Sequence, residues 1–164
     1  MSKTENNLKE AFAGESQANR KYLAFAQKAD DQGHHQAARL FRAAAAAETI
    51  HAHSHLQALN GVAGTVENLK AAIGGETYEF ESMYPPMIAD AEAEGHEAAL
   101  RSFKFANEVE KTHAMLYQKV LDTLDSPQTV DYYVCSGCGH TAENEPPDVC
   151  PVCGAKASAF KKID

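Results

Sequence analysis

The sequence contains no tryptophan, and it has no cysteine before residue 135. Prolines occur at only two positions in the first 125 residues, 85 and 86. No apolar run approaches the roughly 20 residues that a membrane-spanning helix needs. We therefore expect no membrane partner.

The chain also lacks an excess of positive charge, because its formal net charge is −8. No basic stripe appears, which argues against a nucleic-acid partner. The polar start, MSKTENNLKE, lacks the apolar core of a signal peptide, so we expect a cytoplasmic protein. An acidic balance fits a protein that collects cations, although many acidic proteins are merely well solvated.

Helix-forming residues dominate the first part of the chain, where Ala, Glu, Lys, Leu and Gln are frequent. Breaks at Gly33, at 61–65 and at Gly95 divide this part into four segments of similar length. The pattern predicts helices at about 4–32, 34–60, 66–94 and 96–125 and hence a mainly α fold, a four-helix bundle. Gly74-Gly75 and Pro85-Pro86 should distort the third helix.

A second, smaller domain is predicted at the C-terminal end. Ser126 and Pro127 end the last helix, and a short linker follows. We place the domains at 1–126 and 131–164. The smaller one is rich in loops and holds all four cysteines, so a metal ion would have to stabilise it.

The pattern Glu-x-x-His occurs twice, at Glu48/His51 and at Glu110/His113. Residues i and i+3 share one face of a helix, so a single metal ion can contact both side chains. One copy would be weak evidence. Two copies, on the second and fourth of four helices, are typical of the di-iron and di-manganese carboxylate proteins, in which the other two helices each add a glutamate.

Counting from the turns locates those two glutamates. Residues at one height of a helical hairpin are equidistant from its turn. Around Gly33 the partner of Glu48 is then Glu15, whose helical neighbours are mostly apolar. Around Gly95 the partner of Glu110 is Glu79, with Glu76 one turn away on the same face.

The alternative reading is that these glutamates lie on solvated helix faces. It is poor for Glu48 and Glu110, whose neighbours along the helix are alanine and phenylalanine, because a buried carboxylate without a partner is costly. Tyr22 and Tyr84 lie on helices that carry candidate ligands. We interpret both as packing aromatics, with hydrogen bonding to a ligand carboxylate as the alternative.

The cysteines form two C-x-x-C-G motifs in CSGCGHTAENEPPDVCPVCG. Four thiolates in a tetrahedron suit iron or zinc, so spacing alone leaves a structural zinc ribbon open. The predicted ligands are Cys135, Cys138, Cys150 and Cys153.

The chain resembles the rubrerythrin family over nearly its whole length, in segments such as FAGESQANRKY, AETIH, GGETYEFESMYP, VEKTHAMLY and CPVCGAKASAFKKI. The resemblance implies a ferritin-like di-iron domain followed by a rubredoxin-like domain with one iron, for which zinc is a possible substitute. It implies that Glu48 and Glu110 bridge the irons, and that Glu79 and His51 exchange on one iron as its oxidation state changes. The implied di-iron ligands are Glu15, Glu48, His51, Glu76, Glu79, Glu110 and His113.

The function implied is a non-haem peroxidase that reduces hydrogen peroxide to water in oxidative-stress defence. An external reductase or rubredoxin would supply electrons through the rubredoxin-like iron. No cysteine remains to act as a peroxidatic thiol. The rival functions are an iron-oxidising or iron-storing ferritin-like protein, against which the cysteine domain counts, and a non-catalytic metal-binding protein with a structural zinc ribbon.

The joint between the second and third helices, residues 61–65, is short for a ferritin-like crossover. Five extended residues reach at most about 17 Å, whereas the crossover is close to one helix length, about 40 Å. We therefore expect a homodimer in which two chains exchange helices through this hinge.

Overall fold

A computed structural model describes residues 2–126 and 128–163, so Pro127 of the predicted linker lies outside the described residues. The predicted helical segments agree with the observed ones, with the third divided into two. The helices are α1 (Lys3–Asp31), α2 (His35–Ala58), α3 (Thr65–Tyr78), α4 (Tyr84–Ala93) and α5 (Glu97–Asp122). The chain divides into two compact units, Met1–Ala63 and Gly64–Asp164.

The first unit is a helical hairpin formed by α1 and α2. Its turn requires a residue in the left-handed region, and Gly33 supplies it with φ = 77°. The amide of Gly33 donates to the Asp30 carbonyl (2.9 Å), and the amide of His34 donates to the Ala29 carbonyl (2.8 Å). These two bonds satisfy carbonyls at the end of α1, which is the Schellman arrangement.

Small side chains let the two helices approach closely near the turn. Ala26, Ala29 and Ala38 are buried there, and Phe41 packs against them. Farther from the turn, the Asn19 side-chain amide on α1 donates to the Ala45 carbonyl on α2 at 2.7 Å. Both contacts connect α1 with α2 and set how side chains on the two helices face each other.

The second unit begins with a similar hairpin, in which α3 and α4 pack on α5. Its turn repeats the first one, because Gly95 has φ = 66° and the amide of His96 donates to the Ala91 carbonyl at 2.9 Å. Two glycines at the two predicted turns therefore produce two hairpins of the same construction.

A π-helical segment, Glu79–Met83, lies between α3 and α4. The amide of Tyr84 donates to the carbonyl of Glu79, five residues earlier. Pro85 and Pro86 follow directly; they have no N–H to donate, which explains why the regular helix is disturbed here. The predicted distortion thus lies beside the prolines, whereas Gly74 and Gly75 lie inside regular α3, where glycine weakens a helix without breaking it.

The cysteine domain contains a three-stranded antiparallel sheet in the order β2-β1-β3. Its strands are β1 (Tyr132–Cys135), β2 (Thr141–Glu143) and β3 (Phe160–Ile163), with a short 3-10 helix at Ala157–Ala159. Its core is formed by Cys135, Cys150 and Phe160. None of the helices in the described part of the chain combines the length and the apolarity needed to cross a membrane.

Gly33→Ala should lower the free energy of unfolding by about 1 kcal/mol, because an alanine Cβ disfavours positive φ. Gly14→Ala is the matched control, since Gly14 lies inside α1 and a Cβ there meets no atom within 4 Å. It should raise stability by up to about 1 kcal/mol. Urea titrations followed by circular dichroism measure both changes. Equal shifts of the same sign would contradict the assigned turn.

Candidate metal centres

The first unit brings together three side chains from α1 and α2: Glu15, Glu48 and His51. One ligand atom from each lies within 4.8 Å of the others. The His51 Nδ1 atom is 2.8 Å from the Glu48 Oε2 atom. Ala45 and Ala52, on either side of Glu48 and His51 along α2, are buried. The Glu48 side chain lies close to these buried alanines and is 19% exposed, whereas that of His51 is 55% exposed.

The second unit brings together the corresponding three side chains from α3 and α5: Glu76, Glu110 and His113. Their ligand atoms also lie within 4.8 Å of one another. The His113 Nδ1 atom is 2.8 Å from Glu110 Oε2 and 3.8 Å from Glu76 Oε2. Each unit thus carries one group of two carboxylates and one imidazole, which we call a half-site.

Glu79 lies outside the group of three, at the start of the π-helical segment. Burial raises the pKa of its carboxyl above the ordinary value, and the nearby charge of Glu76 adds to the effect, while His113 opposes it. Counting from Gly95 predicts Glu79 as the partner of Glu110 across the hairpin. The structure instead places Glu76 with Glu110 and His113 and leaves Glu79 as an additional carboxylate beside them.

The electrostatics of the second half-site favour a cation. Burial raises the pKa of Glu76, and the Glu110 carboxylate raises it further, while His113 lowers it. Burial, followed by the charges of Glu110, Glu79 and Glu76, also raises the pKa of Tyr84. Carboxylates this close repel one another, and a divalent cation among them removes that repulsion.

The two tyrosines of interest both contact aromatic side chains. Tyr22 lies 6.3 Å from Phe25 and 6.2 Å from Phe41, measured between ring centroids. Tyr84 lies 6.2 Å from Phe103. Both rings therefore pack within their own hairpin.

The four cysteine sulfurs come together in the cysteine domain, all within 4.8 Å of one another. The Sγ atoms of Cys135 and Cys153 are 3.7 Å apart, and those of Cys138 and Cys150 are 3.6 Å apart. A metal bound tetrahedrally at about 2.3 Å separates its sulfurs by about 3.8 Å. The spacing of the four sulfurs therefore fits a single tetrahedral metal ion.

The two C-x-x-C-G motifs have the same local structure. Gly139 and Gly154 adopt φ = 87° and 75°, and their amides donate to the carbonyls of Cys135 (2.8 Å) and Cys150 (2.9 Å). A Cβ at Gly137 would lie only 3.3 Å from the Cys153 sulfur, so a larger residue there would crowd the sulfurs.

The thiols differ in how readily they ionise. Burial raises the pKa of the Cys138 thiol well above its ordinary value. Burial also opposes ionisation of Cys150, but hydrogen bonds from the amides of Cys153 and Val152 lower its pKa on balance. A metal ion binds thiolates and compensates for the burial of their charge.

Two residues near the half-sites were not predicted from the sequence. Asn19 donates to the Thr49 hydroxyl at 2.8 Å, beside Glu48, and its position four residues after Glu15 was the available signal. Thr141, on β2, lies with its Oγ1 atom 3.1 Å from the Nε2 atom of His113. No pattern in the sequence links residues so far apart.

Two helical hairpins that each carry a Glu-x-x-His half-site, followed by a four-cysteine domain, define a ferritin-like metalloprotein with a rubredoxin-like domain. The Rubrerythrin family matches residues 6–121, and the "Rubrerythrin, rubredoxin-like domain" family matches residues 133–161. The chain belongs to the rubrerythrin family.

Individual relatives agree with this assignment. Rubrerythrin-2 of Clostridium acetobutylicum is 33% identical, over 96% of this chain and 95% of its own length. Nigerythrin of Nitratidesulfovibrio vulgaris is 35% identical, over 96% of this chain and 85% of its own length. A solved structure of nigerythrin in its fully reduced, all-ferrous state covers 99% of this chain and 88% of its own, with 34% identity and a TM-score of 0.60.

The donor atoms fit the cofactors of the family, a di-iron pair and one iron held by four cysteines. Carboxylates and imidazoles are present for the first, and a tetrahedron of sulfurs is present for the second. The assignment of individual ligands within the di-iron set stays a prediction, as do the domain limits 1–126 and 131–164.

Cys135→Ser should abolish iron binding by the cysteine domain, because the remaining three thiolates cannot complete the tetrahedron. The red colour of the ferric tetrathiolate should disappear, and the amides of β1 and β3 should lose protection in hydrogen exchange. Ser136→Ala is the matched control, since Ser136 is exposed in the same motif. An unchanged spectrum for Cys135→Ser would exclude this iron site.

Proposed function

We propose that the chain is a non-haem di-iron peroxidase that reduces hydrogen peroxide to water in oxidative-stress defence. The observation that carries the proposal is the presence, in one chain, of two Glu-x-x-His half-sites and a four-cysteine site with the sulfur spacing of a tetrahedral metal. Storage of iron needs only the carboxylate and histidine half-sites. Repeated reduction of a substrate needs an electron supply as well.

Reduction of one peroxide molecule consumes two electrons and two protons and releases two water molecules. When bound, the di-iron pair supplies the two electrons, one from each iron. The side chains of the two half-sites would hold the pair together, and we assign Glu48 and Glu110 as the carboxylates that would contact both irons. Both are the more buried member of their Glu-x-x-His pair, with 19% and 15% of the side chain exposed.

We assign Glu79 and His51 as the ligands that exchange. Glu79 begins a π-helical turn, where the backbone geometry departs from the regular helix, and such turns occur frequently at functional sites. Within its own unit the His51 side chain is more than half exposed, so contacts inside that unit do not hold it in place. A carboxylate suits the more highly charged, oxidised iron, and a neutral imidazole suits the reduced iron.

We assign the cysteine domain to the delivery of single electrons from an external reductase or rubredoxin. The four cysteines of the sequence are all used in this one cluster. None is left over as a peroxidatic thiol, so a thiol-based route to peroxide reduction has no nucleophile in this chain.

Glu79→Ala should slow reductase-driven peroxide turnover about 10–100-fold, because the oxidised iron loses one ligand. Glu81→Ala is the matched control, since Glu81 is exposed on the same π-helical segment. Iron content and circular dichroism should be unchanged in both variants. Equal activity of Glu79→Ala and the wild-type protein would exclude the exchange role. Turnover of ferrous iron without turnover of peroxide in the wild-type protein would favour iron oxidation as the function.

We further propose that the active protein is a homodimer swapped through the joint between α2 and α3. The residues between these helices, 59–64, reach at most about 20 Å when extended. The helical stretch 65–93 is about 43 Å long at 1.5 Å per residue, and a ferritin-like bundle needs a crossover of that order. One chain therefore cannot make the crossover without unwinding helix.

The division of the site supports exchange between chains. Each compact unit contains a whole half-site, so two chains can complete two sites by pairing the first unit of one with the second unit of the other. Large apolar side chains also stay exposed in both units, and exposed apolar groups favour association. They include Leu40, Ile50, Tyr78 and Met115.

Refolding a Glu48→Ala chain together with a Glu110→Ala chain tests the swap. In a swapped heterodimer one site carries both substitutions and the other carries neither, so activity should recover although each homodimer is inactive. Glu10→Ala, on α1 of the first hairpin, and Glu108→Ala, on α5, substitute exposed glutamates and provide the control pair. Heterodimers that form without recovering activity would show that each site comes from one chain.

A further inference from the structure

His113 connects two parts of the second unit through its two ring nitrogens. Its Nδ1 atom faces the carboxylates, 2.8 Å from Glu110 Oε2 and 3.8 Å from Glu76 Oε2. Its Nε2 atom faces the cysteine domain, 3.1 Å from Thr141 Oγ1. An imidazole that binds a metal through Nδ1 carries its proton on Nε2, and that N–H needs an acceptor.

The hydroxyl of Thr141 lies where it can accept from this N–H. Its Oγ1 atom is 3.4 Å from the Gly139 carbonyl, to which the hydroxyl can donate its own proton. The oxygen lone pairs then remain available for the N–H of His113. A hydroxyl that donates on one side and accepts on the other selects the Nδ1-bound form of the imidazole.

The position of Thr141 depends on the fold of the cysteine domain. Thr141 is the first residue of β2 and pairs with Val134 of β1. The amide of Cys135 donates to the carbonyl of His140, next to Thr141, at 2.9 Å. The hydroxyl that contacts His113 is therefore held by the same loop that holds the sulfurs.

Among the described residues of its own unit, the other half-site has no such support. Within the described part of the first unit, no residue hydrogen-bonds the Nε2 atom of His51, whose Nδ1 atom faces Glu48 at the same 2.8 Å. The His51 side chain is 55% exposed and that of His113 is 29% exposed. The two histidines thus have equivalent contacts to their own helices and differ in what contacts the far side of the ring.

We propose that Thr141 is a positioning residue that fixes His113 as an Nδ1 ligand of the di-metal site, so that this half-site depends on the folded cysteine domain. The inference rests on the proposed function, because it takes His113 as a ligand. Within its own unit, His113 is contacted on both sides of the ring, whereas His51 is contacted through its Nδ1 atom.

The test uses full-length protein loaded with zinc at both kinds of site and labelled with ¹⁵N in its histidines. In the wild type, the Nε2–H proton of His113 should give a resolved signal that exchanges slowly with water. Thr141→Val keeps the size of the side chain and removes the hydroxyl, so the signal should shift and exchange faster. Thr141→Ser should restore it. Thr123→Val should leave it unchanged, because the Thr123 hydroxyl donates to the Lys119 carbonyl on α5 and takes no part in the contact with His113.

Cobalt(II) titration provides a second readout. Thr141→Val should weaken binding at the carboxylate site about 10–100-fold, with Thr141→Ala as a second hydroxyl-free variant should the valine disturb the sheet. Wild-type exchange and affinity in both variants would overturn the inference. His113→Ala separates the two levels of failure. If it weakens binding while the Thr141 variants do not, only the inference fails; if it also leaves affinity unchanged, the ligand assignment fails with it.

Discussion

Repulsion between carboxylates on inward-facing helix surfaces is the constraint on which the other features of this protein depend. Each hairpin brings two glutamates and a histidine within 4.8 Å of one another, and burial raises the pKa of Glu76. Such an arrangement is unfavourable without a cation. The alanines beside Glu48 and His51 make room, the glycine turns align the helices, and metal binding offsets the cost of the assembled charge.

Much of this organisation could be predicted from the sequence because it depends on local rules. Gly33 and Gly95 are required by left-handed turns, and those turns set which residues face each other across each hairpin. Glu15 therefore meets Glu48, as counting from the turn predicts. The two C-x-x-C-G motifs are equally local, since each glycine closes a turn around its own pair of cysteines. Pro85 and Pro86 predict a disturbed helix by a rule that is also local, because proline has no N–H to donate.

The features of the site that the sequence does not predict depend on how separate elements pack, which no spacing rule describes. Glu76, and not Glu79, lies in the group with Glu110 and His113. The chain passes between α3 and α4 through a π-helical turn that begins at Glu79, and the prolines predict only that the helix is disturbed there. The contact between Thr141 and His113 joins residues from a strand and a helix with no shared periodicity. Such contacts arise where the cysteine domain meets α5, and they connect the fold of the cysteine domain to the half-site that contains His113.

In the proposed function, the carboxylate site reduces peroxide and the cysteine-bound iron re-reduces it. Anaerobic stopped-flow mixing of fully reduced, iron-loaded protein with hydrogen peroxide tests this most directly, with a Glu48→Gln protein mixed under the same conditions. We expect the di-iron pair to be oxidised first, and the red ferric tetrathiolate colour of the cysteine site to develop afterwards with its own rate. The expected product is water, without oxygen. Peroxide consumption at the same rate in the Glu48→Gln protein, or development of the red colour before any change at the di-iron site, would contradict the proposed function.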